Sequence, residues 1–194
     1  MKYYLLVSVA LFSVFPLKAQ EHQKRYDFPL TITLNFPALA MPFRNLDLNF
    51  RNIGIGLGTE VTLNHEGTWV QQFHIAWLRN RQAGNGLLAY TQLAWRPGIG
   101  NNGFAEVKAG AGYLYGYTAS TAMKPSGGGW TSIGHKGKGM LTIPIGVAFG
   151  YHAYDADTRY TPFLGYQFML VTHYNKTVPL VPQTIVQTGV SIAR

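Results

Sequence analysis

The chain has 194 residues, enough for one domain, and carries 16 Lys and Arg against 8 Asp and Glu. Charged residues make up 12% and aromatic residues 14%, with 22 glycines and no cysteine. A soluble enzyme usually has about a quarter of its residues charged, and the lack of cysteine excludes disulfides, thiolate metal sites and a lipoprotein anchor.

Residues 1–19 read as an export signal and residues 20–194 as the mature domain. Lys2 gives a positive start, Leu5 to Phe15 is an apolar run, and Ala19 precedes Gln20. The run is too short to span a bilayer comfortably as a helix. Its removal takes away Lys2 and Lys18 and no acidic residue, so the net charge falls from +8 to +6. The remaining basic residues form no single run or helix face, so a nucleic-acid partner is not expected.

From there the chain alternates with period two, the pattern of strands. Leu30, Ile32, Leu34 and Phe36 alternate with Thr31, Thr33 and Asn35. Next come Ile53, Ile55, Leu57, Val61 and Leu63 against Gly54, Gly56, Gly58, Glu60 and Thr62, then Trp69, Phe73, Ile75 and Trp77 against Gln72, His74 and Ala76. Ala89, Leu93 and Trp95 alternate with Tyr90, Gln92 and Arg96, and Ala105 to Tyr117 opposes Glu106, Lys108, Gly110, Gly112 and Gly116. Leu141 to Tyr151, Pro162 to Leu170 and Thr184 to Ile192 complete eight candidate strands.

The second face of these strands is small or polar: Gly, Ala, Ser, Thr and Gln, with few charges. A soluble sandwich would place Lys, Glu and Asp there. Small polar residues suit the interior of a narrow barrel whose bulky side chains face lipid. A bilayer tolerates no open sheet edge, so the strands must close. The expected fold is all-β: a single antiparallel transmembrane β-barrel of about eight strands.

The connections support a direction. Short ones are expected at Asn64–Gly67, Gly98–Asn102 and His152–Thr158, longer ones at Pro37–Arg51, Thr118–Lys136 and Tyr174–Val181, and an intermediate one at Asn80–Gly86. Outer-membrane barrels have short periplasmic turns and longer outer loops. Trp69, Tyr151 and Tyr160 fall near the short-turn end, and Trp77, Tyr117 and Tyr174 near the long-loop end, as interfacial girdles would. Pro125-Ser126-Gly127-Gly128-Gly129 reads as a flexible loop tip.

Several stretches resemble a family of small Gram-negative outer-membrane β-barrel proteins of uncharacterised function. They are Ala40-Met41-Pro42-Phe43, Ile55-Gly56-Leu57-Gly58-Thr59-Glu60, Ala111-Gly112-Tyr113-Leu114, Tyr166-Gln167-Phe168 and Val178-Pro179-Leu180-Val181-Pro182-Gln183-Thr184. The resemblance implies fold and location and carries no established activity. Many such barrels end in an aromatic residue read by the assembly machinery, whereas this chain ends in Arg194.

Charge placement supplies two candidate sites. Arg44, Arg51, Arg79, Arg81, Lys124, Lys136, Lys138 and Lys176 fall at the outer loops and strand tips, with Asp47 the lone acid among them. They suit contact with lipopolysaccharide phosphates. The expected periplasmic turns carry Glu66, Asp155 and Asp157, with Arg159 at one edge. Glu60, His74, Arg96, Glu106 and Lys108 should point inward as a polar network that fills the lumen, since eight strands leave room only for side chains. No metal or cofactor is expected, because the histidines show no paired ligand spacing.

Three functional readings remain open. The first is a non-enzymatic barrel with a structural or surface-interaction role, monomeric, contacting outer-membrane lipid, lipopolysaccharide and the barrel assembly machinery. The second is a lipid A-modifying acyl hydrolase or transferase, with His173 and His135 as the candidate catalytic residues. One deacylase family among such barrels uses a His-x-Ser pair near its last strands; here Asn175 stands where the Ser would be, and an amide is no nucleophile. The third is a soluble periplasmic barrel binding an apolar ligand, which requires the bulky face to point inward.

Overall fold

Alternation becomes a wall with two chemically different faces. The computed structural model describes residues 28–44, 46–80, 84–117, 123–126, 129–132, 137–155, 158–172 and 180–193. Eight long strands follow in chain order: β1 (Leu30–Ala38), β2 (Ile53–Thr62), β3 (Trp69–Asn80), β4 (Gly84–Trp95), β5 (Gly103–Tyr117), β6 (Gly137–Tyr151), β7 (Thr158–Thr172) and β8 (Leu180–Ala193). Each pairs antiparallel with the next. The ring closes where β1 pairs β8 from Leu30↔Ile192 to Ala38↔Thr184, so none of these eight strands is left as an edge.

The bulky set faces out. Ile55 is 59% exposed, Val107 54% and Ile145 47%, whereas Lys108, next to Val107 on β5, is 2% exposed. A protein in water would have these values reversed. The soluble-ligand reading is therefore at odds with the side-chain orientation. Trp69, Tyr151 and Tyr160 are exposed at the end where β1 begins and β8 ends, and Trp77 and Tyr117 at the other, outer end; Tyr174 lies outside the described residues. On the outer face Tyr113 lies over Gly139 and Tyr115 over Gly137, so each ring covers backbone that has no side chain of its own.

Four connections differ from expectation. Pairing between β3 and β4 runs unbroken from Trp69↔Trp95 to Asn80↔Gly84, so the link that read as intermediate contracts to residues 81–83. Gly84 makes this possible by taking a φ of 91°, which a side chain would disfavour. At the inner end, Gly98–Ile99 pairs with Gly103–Phe104 and Ala153–Asp155 with Thr158–Tyr160, which tightens those two turns. In the longest outer connection Met123–Ser126 pairs with Gly129–Ser132, so Pro125, Ser126 and Gly129 of the expected loop tip lie within a hairpin ladder.

The first outer connection carries a 3-10 helix, Leu46–Arg51, that no sequence pattern announced. It packs beside β1 and β8. The buried Asn49 amide donates to the carbonyls of Phe36 on β1 (2.7 Å) and Thr184 on β8 (3.2 Å), bridging the first and last strands. Asn52 donates to the Pro37 carbonyl (2.9 Å). Phe50 meets Phe36 at 5.5 Å, and Phe43, at φ 60°, stacks on Tyr166 at 5.0 Å while its N–H donates to the Tyr166 hydroxyl. The connection thus folds against the outer wall at the β7–β8–β1 seam.

Inward glycines let neighbouring strands approach. A Cβ on Gly110 would collide with the Thr91 carbonyl and the Gln92 backbone, neither of which is a movable side-chain tip. Gly110→Ala is expected to destabilise the folded barrel by about 1–3 kcal/mol, the range for overpacking. Urea titration in detergent micelles checks it; an unchanged midpoint would mean that β4 and β5 are not in this close contact.

Candidate functional site

Strand parity and stagger build the lumen upward from the end where β1 begins and β8 ends. At that end Glu60 comes from the last turnward residues of β2, Gln72 from the start of β3, Arg96 from just past β4, and Glu106 and Lys108 from β5. Arg96 grips Glu60 with two bonds, Nη1 to Oε1 at 2.9 Å and Nη2 to Oε2 at 2.5 Å, and its Nε lies 2.5 Å from Glu106 Oε1. This forked grip is the geometry that favours Arg over Lys. Lys108 Nζ sits 3.6 Å from Glu106 Oε2. Gln72 donates to Glu106 at 3.2 Å and to Glu60 at 3.4 Å, and accepts from Lys108 at 3.4 Å.

Two acids and two bases balance, so the cluster carries no formal net charge. That matters because an unmatched charge in a water-poor interior is strongly unfavourable. Phe104 lies under the Arg96 guanidinium (4.8 Å) and Phe163 under Lys108 (5.8 Å). The remaining space among these residues is about 20 Å3, about what one water molecule needs. In the adjoining turn His152 stacks on Phe104 at 4.8 Å and contacts Thr161 Oγ1 at 3.1 Å. Its burial, with Arg159 nearby, holds its pKa below the ordinary imidazole value, so it adds no charge at neutral pH.

Above the ion cluster lies a layer of neutral polar groups. His74 stacks on Tyr90 at 5.0 Å and makes no ion pair with the four charged residues. Gln167 donates to Gln187 Oε1 (2.8 Å), Gln187 donates to the Tyr90 hydroxyl (3.2 Å) and to Asn35 (3.1 Å), and Asn35 donates to Thr33 (3.0 Å). This chain of amides crosses the lumen from β7 through β8 to β1 and reaches β4 at Tyr90. Sequence reading placed these residues inward but did not join them, because their strands are far apart in the chain.

The outer part of the lumen differs from expectation. In place of small or polar residues it holds Leu78, Leu88, Leu114, Met140, Met169, Val171 and Ile185, packed together. Leu78 and Leu88 were off the expected polar face because each follows or precedes an equally apolar neighbour, which hides the period. The layer makes an apolar stopper toward the outer mouth, with a remaining cavity of about 50 Å3.

Arg44, Arg51, Arg79 and Lys138 are exposed at the outer end. Arg51 meets Asp47 at 3.4 Å in an exposed i,i+4 pair of little energetic weight. Lys124 lies on the outer hairpin. Arg81, Lys136 and Lys176 fall outside the described residues, as do His135 and His173. Among the described residues no three His, Asp or Glu could share a metal.

No known family model and no curated protein sequence matches the chain. Among solved structures it is similar to Neisserial surface protein A, with a TM-score of 0.58 and 10% identity over 86% of this chain and 97% of that one. It is also similar to the N-terminal β-barrel domain of Pseudomonas aeruginosa OprF, with a TM-score of 0.50 and 10% identity over 86% of this chain and 99% of that one. The fold is that of the eight-stranded outer-membrane β-barrels.

Proposed function

We propose that this chain is a non-enzymatic outer-membrane barrel with a structural or surface-interaction role, its basic outer rim contacting lipopolysaccharide phosphates. Residues 1–19 direct export, the assembly machinery inserts residues 20–194, and the barrel sits in the membrane as a monomer. The observation that carries this reading is the inverted polarity: an exposed Ile, Val, Leu and aromatic wall around buried Glu106 and Lys108 and half-buried Glu60 and Arg96. Such a wall is unfavourable in water and favourable in hydrocarbon.

The plugged lumen supports a role at the surface over one in solute passage. An ion cluster at one end, an amide layer at mid-height and an apolar stopper at the other leave cavities of about 20 and 50 Å3 among the described residues. The basic groups Arg44, Arg51, Arg79 and Lys138 lie at one end, where an outer leaflet rich in phosphate would meet them.

Fractionation and gel mobility test the membrane reading. The expected result is recovery in the outer membrane, faster migration without heating than with it, and no solute-sized conductance in planar bilayers. Recovery in the soluble periplasmic fraction, with mobility unchanged by heating, would overturn it. Lipid A mass spectrometry with and without the protein tests the enzymatic alternative, which predicts altered acylation that depends on the chain.

A further inference from the structure

The outer surface across β1 to β6 is indented where a round barrel would be convex. It surrounds an open apolar concavity of about 1210 Å3. Inward glycines account for the indentation. A Cβ on Gly56 would lie 2.6 Å from Thr33 Oγ1, and one on Gly112 would lie 2.6 Å from Tyr90 Cβ. A Cβ on Gly58 would meet the His74 ring itself. Without those side chains the wall draws in against the stacked His74 and Tyr90, and the outside becomes concave. Small residues Ala89, Thr91 and Ala111 line its floor, and Ile55, Trp77 and Tyr113 stand around it.

The ends of this concavity differ in charge. At the outer end Arg79 is exposed on the same outward face as Trp77, cross-strand from Ile53, with Arg51 just before Ile53 in the chain. At the inner end the outward residues of β3 are Trp69 and Gln71. Six adjacent strands at roughly 4.8 Å per step make a surface about 24 Å across. That is wider than two acyl chains side by side, so the width favours a lipid with more than two.

We propose that the concavity seats the acyl chains of a phosphorylated, multiply acylated glycolipid of the outer leaflet, with a phosphate on Arg79. This rests on the outer-membrane reading above and adds to it a defined position on the wall. Apolar chains fill the concavity, the Arg79 guanidinium takes two phosphate oxygens, and Trp77 lies at the boundary between them.

The test is the lipid retained by protein extracted from outer membranes in mild detergent, counted per barrel by mass spectrometry. The wild type is expected to retain glycolipid. Ala89→Trp with Ala111→Trp fills the floor and should lower retention at least tenfold, as should Arg79→Ala, while Leu164→Trp on the far wall should leave it unchanged. Heat-modifiable mobility confirms that each variant is folded; if the double variant is not, Arg79→Ala and Ala111→Leu carry the same test. Wild-type retention by the folded groove variants would overturn the proposal, as would a wild-type barrel that holds only two-chain phospholipid or a second copy crosslinked through this face. If Arg44→Ala with Lys138→Ala lowers retention and the groove variants do not, the groove is wrong and the basic-rim reading stands. Recovery of the wild type outside the outer membrane would sink the underlying reading instead.

Discussion

Arg96→Met is expected to destabilise the barrel by about 3–5 kcal/mol, the range for removing one member of a buried ion pair. The reason lies in what stays behind. Arg96 neutralises Glu60 and Glu106 together, with contacts of 2.5 Å to each. Without it two carboxylates face each other across the lumen, and Lys108, at 3.6 Å from Glu106, is the one remaining counter-charge. Adding Glu60→Gln restores the balance, since Glu106 and Lys108 then pair alone, and most of the lost stability should return. Urea unfolding in micelles or vesicles, followed by tryptophan fluorescence, measures both variants. Additive losses in the double variant would show that Glu60 and Arg96 do not act as a pair.

Ile145→Arg is expected to cost about 2–4 kcal/mol, as a basic residue does at the lipid-facing midplane of a barrel. Ile145 lies near the middle of β6, opposite Ala109 and Phe168, and is 47% exposed. The expected effect comes wholly from the surrounding solvent. On a water-soluble protein, a half-exposed Ile replaced by Arg falls in the class of surface changes worth within about ±0.5 kcal/mol. The same substitution at Phe28, just before β1 and exposed, should be nearly neutral because it lies toward the interface. Refolding into vesicles and urea titration separate the two outcomes, and a neutral Ile145→Arg would contradict a lipid-facing wall.

Much of this fold is legible in the chain because strand parity is local. Successive side chains point to opposite faces whatever the partner strand is, so Val107 out and Lys108 in follow from their adjacency in β5. Eight alternating runs also bound the strand number. The inward placement of Glu60, His74, Arg96 and Glu106 follows from the same rule. Which members of the expected network pair does not, since Glu60, Arg96 and Glu106 lie on different segments and meet through the register between strands. His74 illustrates this: it shares parity with Gln72, yet its ring stacks on Tyr90 while Gln72 joins the ion cluster.

Where alternation is blurred, the sequence alone assigns no face. Leu87 and Leu88 are both apolar, but Leu87 faces out and Leu88 packs into the outer stopper. Asn49 reads as an ordinary loop residue, and its role depends on two carbonyls from opposite ends of the chain. The outward concavity also escapes a linear reading, because glycines on β2 and β5 produce it jointly. Composition and period two by themselves determined an inside-out wall of eight strands, since both are set by the backbone and the surrounding solvent. Ring closure and register decided which charges pair, where the lumen is apolar, and where the wall bends inward, because those depend on distances between residues that the chain alone does not relate.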